Sequence, residues 1–138
     1  MSTTGPATPT MTNVDLIRSS YAAFAAGDVA AVLAVLADDI TWRVPGRHPL
    51  SGVYTGPDEV LGFFGGLAGR SGGTFAITLD NVLDDRDGTV AALVTERGER
   101  GGMQLTASAI HVWRILDGKA TSFQGYQCDD HKSDAFWS

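Results

Sequence analysis

The sequence predicts an α+β fold, with three N-terminal helices packed on a curved, mostly antiparallel sheet. Three observations lead there. Apolar residues recur at helical spacing early in the chain and again after Pro57. From Thr74 onward that period gives way to alternation. The alternating stretches are divided by "RDG", "GG" and "DG", glycine turns that suit hairpins. Helices first and strands last place the helices on one face of one sheet. A curved sheet closed by helices makes a cone with an open mouth, where pockets form.

Val14, Ile17, Tyr21 and Phe24 lie on one face of a first helix, which Asn13 can cap and "AAGD" ends. Asp28 caps a second helix with the face Val29, Val32, Leu33 and Leu36. "DDITWRV" follows as a strand, with Ile40, Trp42 and Val44 alternating up to Pro45. "GRHPLSGVYTG" reads as a loop. Pro57 suits the first position of a third helix, and Asp58 and Glu59 favour its dipole. Val60, Leu61, Phe64 and Leu67 are its dry side, and "GRSGG" ends it. Four strands then run through "TFAITLDNVLDD", "TVAALVTERGER", "MQLTASAIHVWRIL" and "KATSFQGYQC". "DDHKSDAFWS" is a short helix or tail.

The chain has 138 residues, which bounds it to one domain, here 13–138, behind a disordered tail at 1–12. A net charge of −6 repels phosphate backbones, so nucleic acid is not an expected partner. No apolar run reaches the roughly 20 residues of a membrane span, and the start lacks the pattern of a signal peptide. The expected setting is the cytoplasm. Cys128 is the sole cysteine and reads as packing. His48, His111 and His131 are scattered, so no metal site is expected.

The strand "MQLTASAIHVWRIL" carries the most chemistry. Leu105, Ala107, Ala109, His111, Trp113 and Ile115 share one face. His111 there is either a pocket wall, with small alanines leaving room for a ligand, or a satisfied core histidine. Tyr21 is either a pocket donor or a core tyrosine, and Tyr126 is similar. Trp42, facing the helices, is core or pocket wall. Arg97 and Glu99 share one face of "TERGE", where the arginine can orient the acid, or where both mark a solvated strand end. His48, in its loop, is expected at the solvated lip of the mouth. On the last strand Ser122, Gln124, Tyr126 and Cys128 share one face, and Phe123, Gly125 and Gln127 the other.

The stretches "AAGDVAAVLAVLADDITWRVPGRHPLSGVYTGPDEVLGFFGGL", "SGGTF", "IHVWRILDGKATSF" and "DAFWS" resemble the SnoaL-like branch of the NTF2-like superfamily. That branch includes polyketide cyclases and relatives of ketosteroid isomerase and limonene epoxide hydrolase. The resemblance spans about residues 13–138 and implies an NTF2-like cone, usually a homodimer through the outer face of the sheet. The positions that look like the isomerases' tyrosine and aspartate hold Ser20 and Val44, with Tyr21 one step off. His111 matches the histidine of the aldol cyclases, and Gly125 stands where their aspartate is expected. Arg97 and Glu99 match the arginine and first acid of the epoxide hydrolases, with glutamate for aspartate.

The resemblance therefore implies a pocket that keeps a histidine and loses its acids. The leading expectation is a cofactor-independent cyclase or isomerase of polyketide-type biosynthesis. It would bind an apolar, oxygenated small molecule and promote ring closure, pericyclic closure included, by positioning and hydrogen bonding. His111, Tyr126, Tyr21 and Gln124 are the expected catalytic residues. Trp42, Trp113, Phe64, Ser122, Arg97 and Glu99 are the expected binding residues. One alternative is epoxide opening by Glu99 and Arg97, and another is a non-catalytic binding protein. A cavity under about 300 Å³ would favour a third, a purely structural module.

Overall fold

The computed structural model describes residues 11–138, so most of the expected tail, residues 1–10, lies outside the described residues. The elements run α1 (Asn13–Ala25), α2 (Val29–Ala34), β1 (Leu36–Val44), β2 (Gly52–Thr55), α3 (Gly56–Ser71), β3 (Ala76–Asp84), β4 (Thr89–Arg100), β5 (Met103–Leu116), β6 (Lys119–Gln127) and α4 (Asp130–Trp137). Six strands form one curved sheet in the order β2-β1-β6-β5-β4-β3. Among the described residues only β1 and β6 pair in parallel. The α+β class and the mostly antiparallel sheet are as the alternation after Thr74 predicts.

Four local readings change. Thr12, not Asn13, caps α1, its Oγ1 accepting from the Asp15 N–H at 3.0 Å. Leu36 leaves the second helix and opens β1, because α2 stops after six residues. Gly52–Thr55, read as loop, is an edge strand against Thr41–Val44. The C-terminal stretch is a helix, capped by the Asp129 side chain on the Lys132 N–H.

Helix α1 packs on β3 and β4, and α3 packs on β1 and β2. Ile17, Val60 and Phe64 reach down from them to Ile40, Trp42, Val90 and Trp113 on the sheet. An aromatic cluster sits at the centre. Trp42 stacks on Phe123, with ring centres 3.8 Å apart. It also meets Trp113 and Phe64 edge-on. Such pairs contribute beyond the area they bury.

The β5–β6 hairpin decides what this core presents. Asp117-Gly118 forms its turn, with Leu116 opposite Lys119 and Ile115 opposite Ala120. The register then shifts, and Arg114 faces Ser122. Thr121 is the extra residue of a β-bulge. Beyond it Trp113 lies opposite Phe123 and His111 opposite Gly125. Opposed residues share a face, so Phe123, Gly125 and Gln127 turn inward.

Candidate active site

The cavity lies between the helices and the inner face of the sheet. Its floor is built by alternation along two neighbouring strands. On β4, Val90, Ala92 and Val94 point inward, and the same parity carries Glu96 inward. On β5, Ala107, Ala109, His111 and Trp113 do so. Ala107 lies opposite Glu96, and Ala92 and Gly125 flank His111 on its two neighbouring strands. These small residues leave space around the two ionisable groups. A Cβ at Gly125 would stand 3.1 Å from the Pro45 ring, so β1 approaches β6 closely there.

Glu96 and His111 are each 6 % exposed. Glu96 Oε2 faces His111 Nε2 at 3.6 Å, an ion-pair spacing longer than a hydrogen bond. Its other oxygen, Oε1, accepts from Gln127 Nε2 at 3.0 Å. On the far side of the imidazole, Nδ1 meets the Tyr21 hydroxyl at 2.5 Å. Trp113 Nε1 donates to that same hydroxyl at 3.2 Å. Burial holds the Tyr21 phenol well above its ordinary pKa; the Trp113 N–H lowers it and the nearby Glu96 charge adds to the rise. Tyr21 is therefore neutral at physiological pH.

Around this polar line the wall is apolar, from Phe24, Val32, Phe63, Phe64, Phe75 and Ile77. The cavity has a volume of about 90 Å³. Counted out to open solvent at the mouth, the void is about 780 Å³. Size alone thus falls well under the roughly 300 Å³ floor of small-molecule pockets and favours a structural module. The lining argues against a purely structural module, which gains nothing by burying a carboxylate, an imidazole and an amide beside empty space. Two lining side chains also hold buried atoms with no partner among the described residues, Trp42 Nε1 and Gln127 Oε1. Among the described residues, no group of three or more His, Cys, Asp or Glu side chains could hold a metal ion.

The expected site residues divide cleanly. His111, Tyr21, Trp42, Trp113 and Phe64 all line the cavity. Tyr126, Gln124 and Ser122 do not. Tyr126 is 54 % exposed on the outer face, and the Gln124 amide donates to the Gly125 carbonyl. The bulge at Thr121 is the reason, since without it His111 would lie opposite Gln124. Arg97 and Glu99 are both exposed. Arg97 reaches across to Thr78 Oγ1 on β3, at 3.2 Å. The pair expected to open an epoxide therefore stands outside the cavity. Glu96, one residue before Arg97, is the acid within. The expectation that the pocket has lost its acids is overturned by that single residue. Its signal was the parity of Val90, Ala92 and Val94, masked because the other face of "TVAALV" is apolar too.

His48 also departs from expectation, being buried in the wall rather than solvated at the lip. Its Nδ1 accepts from the Leu50 N–H at 3.2 Å, and its own N–H donates to Ser51 Oγ at 3.0 Å. The neighbouring Arg47 N–H ties the loop to Asp134 of α4. Burial lowers the His48 pKa from 6.5; Asp134 and Glu96 oppose this and Arg70 adds to it. A histidine held neutral in the fold stabilises it fully above its unfolded pKa, and that contribution is lost as pH falls through the lower, folded value. Urea midpoints should accordingly drop between pH 7.5 and 5, and His48→Asn should flatten the drop. An equal drop in the variant would locate the acid sensitivity elsewhere.

Residues 17–123 match the family model described as a SnoaL-like domain. The chain is 34 % identical over 126 residues to the uncharacterised protein Rv0034 of Mycobacterium tuberculosis, spanning 91 % of this chain and 96 % of that one. Bal32a, from a soil-derived mobile gene cassette, is 30 % identical with a TM-score of 0.88, over 91 % and 96 % of the two chains. Two structures at lower identity share the fold. TerC, co-crystallised with polyporic acid, is 22 % identical with a TM-score of 0.80, over 91 % and 98 %. A candidate polyketide cyclase of Pseudomonas putida is 21 % identical with a TM-score of 0.71, over 91 % and 98 %.

Proposed function

The chain belongs to the SnoaL-like family, and on that premise we propose that it is an acid–base enzyme, a cyclase or isomerase acting on a small, apolar, carbonyl-bearing molecule. The observation that carries this reading is the buried line Glu96–His111–Tyr21 in the cavity wall. The fold shared with a candidate polyketide cyclase, and with a protein co-crystallised with polyporic acid, supports a ligand of this kind. Positioning without a base suits a pocket that lacks acids; a pocket that holds Glu96 suits proton transfer.

The geometry supports the following roles. Among the described residues Glu96 Oε2 has no hydrogen-bond donor, and it can take a proton from the carbon next to a carbonyl. The released electron pair moves onto the carbonyl oxygen, giving an enolate. His111, with its proton on Nε2, hydrogen-bonds that oxygen. The enolate carbon can then attack a second carbonyl of the same molecule and close a ring, the new alkoxide taking the proton from Glu96. In a substrate whose enolate is conjugated with a carbon–carbon double bond, the same proton returned to the far carbon gives an isomer. Each step moves only protons and electron pairs between the substrate and these side chains, so the scheme calls for no redox cofactor.

The test uses 1-tetralone and 2-tetralone, compact apolar ketones. Proton NMR in D2O should show enzyme-accelerated exchange at the carbon next to the carbonyl. Tyr126→Phe and Gln124→Ala should leave the rate within about twofold, because both side chains lie outside the cavity. Binding of both ketones without accelerated exchange would sink the enzyme reading and leave a binding protein.

A second copy of the chain is the partner we propose for the outer face of the sheet. Leu93, Ile110 and Tyr126 lie in register across three strands there, with Val112 alongside Ile110 on β5. Ile110→Glu should convert a sedimenting dimer to a monomer that keeps its far-ultraviolet spectrum. A wild-type monomer at micromolar concentration would dismiss the idea. We take the cytoplasm as the working compartment, since Cys128 is exposed and an exposed thiol persists in a reducing milieu.

A further inference from the structure

We propose that Trp113 is a positioning residue that sets the tautomer of His111 through Tyr21. The inference rests on the reading of Glu96 and His111 as the reacting pair, and it explains how the imidazole comes to present a proton to the carboxylate side. An indole N–H can only donate. Trp113 Nε1 is 3.2 Å from the Tyr21 oxygen, so that oxygen accepts. The phenol has one hydrogen, and the partner left for it is His111 Nδ1 at 2.5 Å. Nδ1 is then an acceptor, and a neutral imidazole must carry its proton on Nε2, toward Glu96. The opposite tautomer would crowd two N–H donors onto the Tyr21 oxygen and strand the phenol hydrogen. It would also turn a bare nitrogen lone pair toward a carboxylate. Each of these faults is costly in a buried site.

The indole is held firmly enough to impose this direction. Trp113 is buried, meets Tyr21 and Trp42 edge-on, and lies opposite Phe123 and Val90 in the sheet. The neutrality of Tyr21 keeps its hydrogen in place at physiological pH. Tyr21, expected to act on substrate directly, therefore acts through His111.

The test reads the imidazole directly, by nitrogen NMR of histidine-labelled protein with no ligand added. His111, assigned by its absence in His111→Gln, should be the Nε2–H tautomer. Trp113→Phe keeps a ring but removes the N–H, and should reduce the tautomer preference by about tenfold. Tyr21→Phe should do the same. In ketone exchange, Trp113→Phe should lower kcat with little change in KM. A wild-type Nδ1–H tautomer would overturn the inference, as would an unchanged tautomer in Trp113→Phe. If Trp113→Phe does not fold, the wild-type spectrum and Tyr21→Phe decide. Because the spectrum needs no turnover, a wrong tautomer with intact exchange would remove only this inference. A correct tautomer with no exchange would remove only the proposed function.

Discussion

Glu96→Gln should slow ketone exchange by about 10²–10⁴-fold, the usual range for removing a general acid or base, while Glu99→Gln changes it by less than about twofold. The variants stand three residues apart on one strand, and only parity separates them. Glu96 continues the inward row of Val90, Ala92 and Val94, while Glu99 points to solvent. Glutamine keeps the volume of Glu96 and can still pair with Gln127, so the fold should survive. Removing a buried negative charge can even stabilise it. Equal rates for Glu96→Gln and wild type, with binding intact, would remove Glu96 as the base.

Phe123→Ala should cost about 3–5 kcal/mol of stability, the range for deleting a buried aromatic ring. That is a large part of the 5–15 kcal/mol available to a domain of this kind. Phe123 stacks on Trp42, meets Trp113 edge-on and lies 4.9 Å from the His111 ring centre. Its loss would unseat the tryptophan platform and the His111 imidazole together. Urea unfolding should show a lower midpoint with an unchanged slope. A loss below about 1 kcal/mol would mean that the cluster re-packs without it.

The fold was legible in the sequence because its signals are redundant. Alternation, glycine turns and the Asp28 cap each point to the same arrangement. The inward face of β5 was legible because Thr106, Ser108 and Arg114 mark the other face, although Ile110 and Val112 interrupt the contrast on either side of His111. Tyr21, Trp42 and Phe64 followed from helical and strand period. Glu96 was not legible because both faces of its strand are apolar upstream, so alternation left no mark. The face of β6 was not legible because a bulge is set by backbone geometry, and Thr121 differs in no obvious way from its neighbours. His48 was obscured because a loop position says little about burial. Its cover comes from Trp137, far along the chain, whose ring centre lies 6.3 Å from its own.

The extra residue at Thr121 has a bearing on how domains of this type diversify. Loss of one codon there would close the bulge and leave Phe123 opposite Trp113 and Gly125 opposite His111, so the cavity would keep its lining. Keeping the residue but threading it into the ladder, with Thr121 opposite Arg114, would turn Phe123, Gly125 and Gln127 out and Ser122, Gln124 and Tyr126 in, with no substitution among the six. A stacking ring, a gap and an amide would be exchanged for a hydroxyl, an amide and a phenol. Along this strand, whether one residue bulges out of the ladder or pairs within it carries as much chemistry as the identities of the residues that follow it.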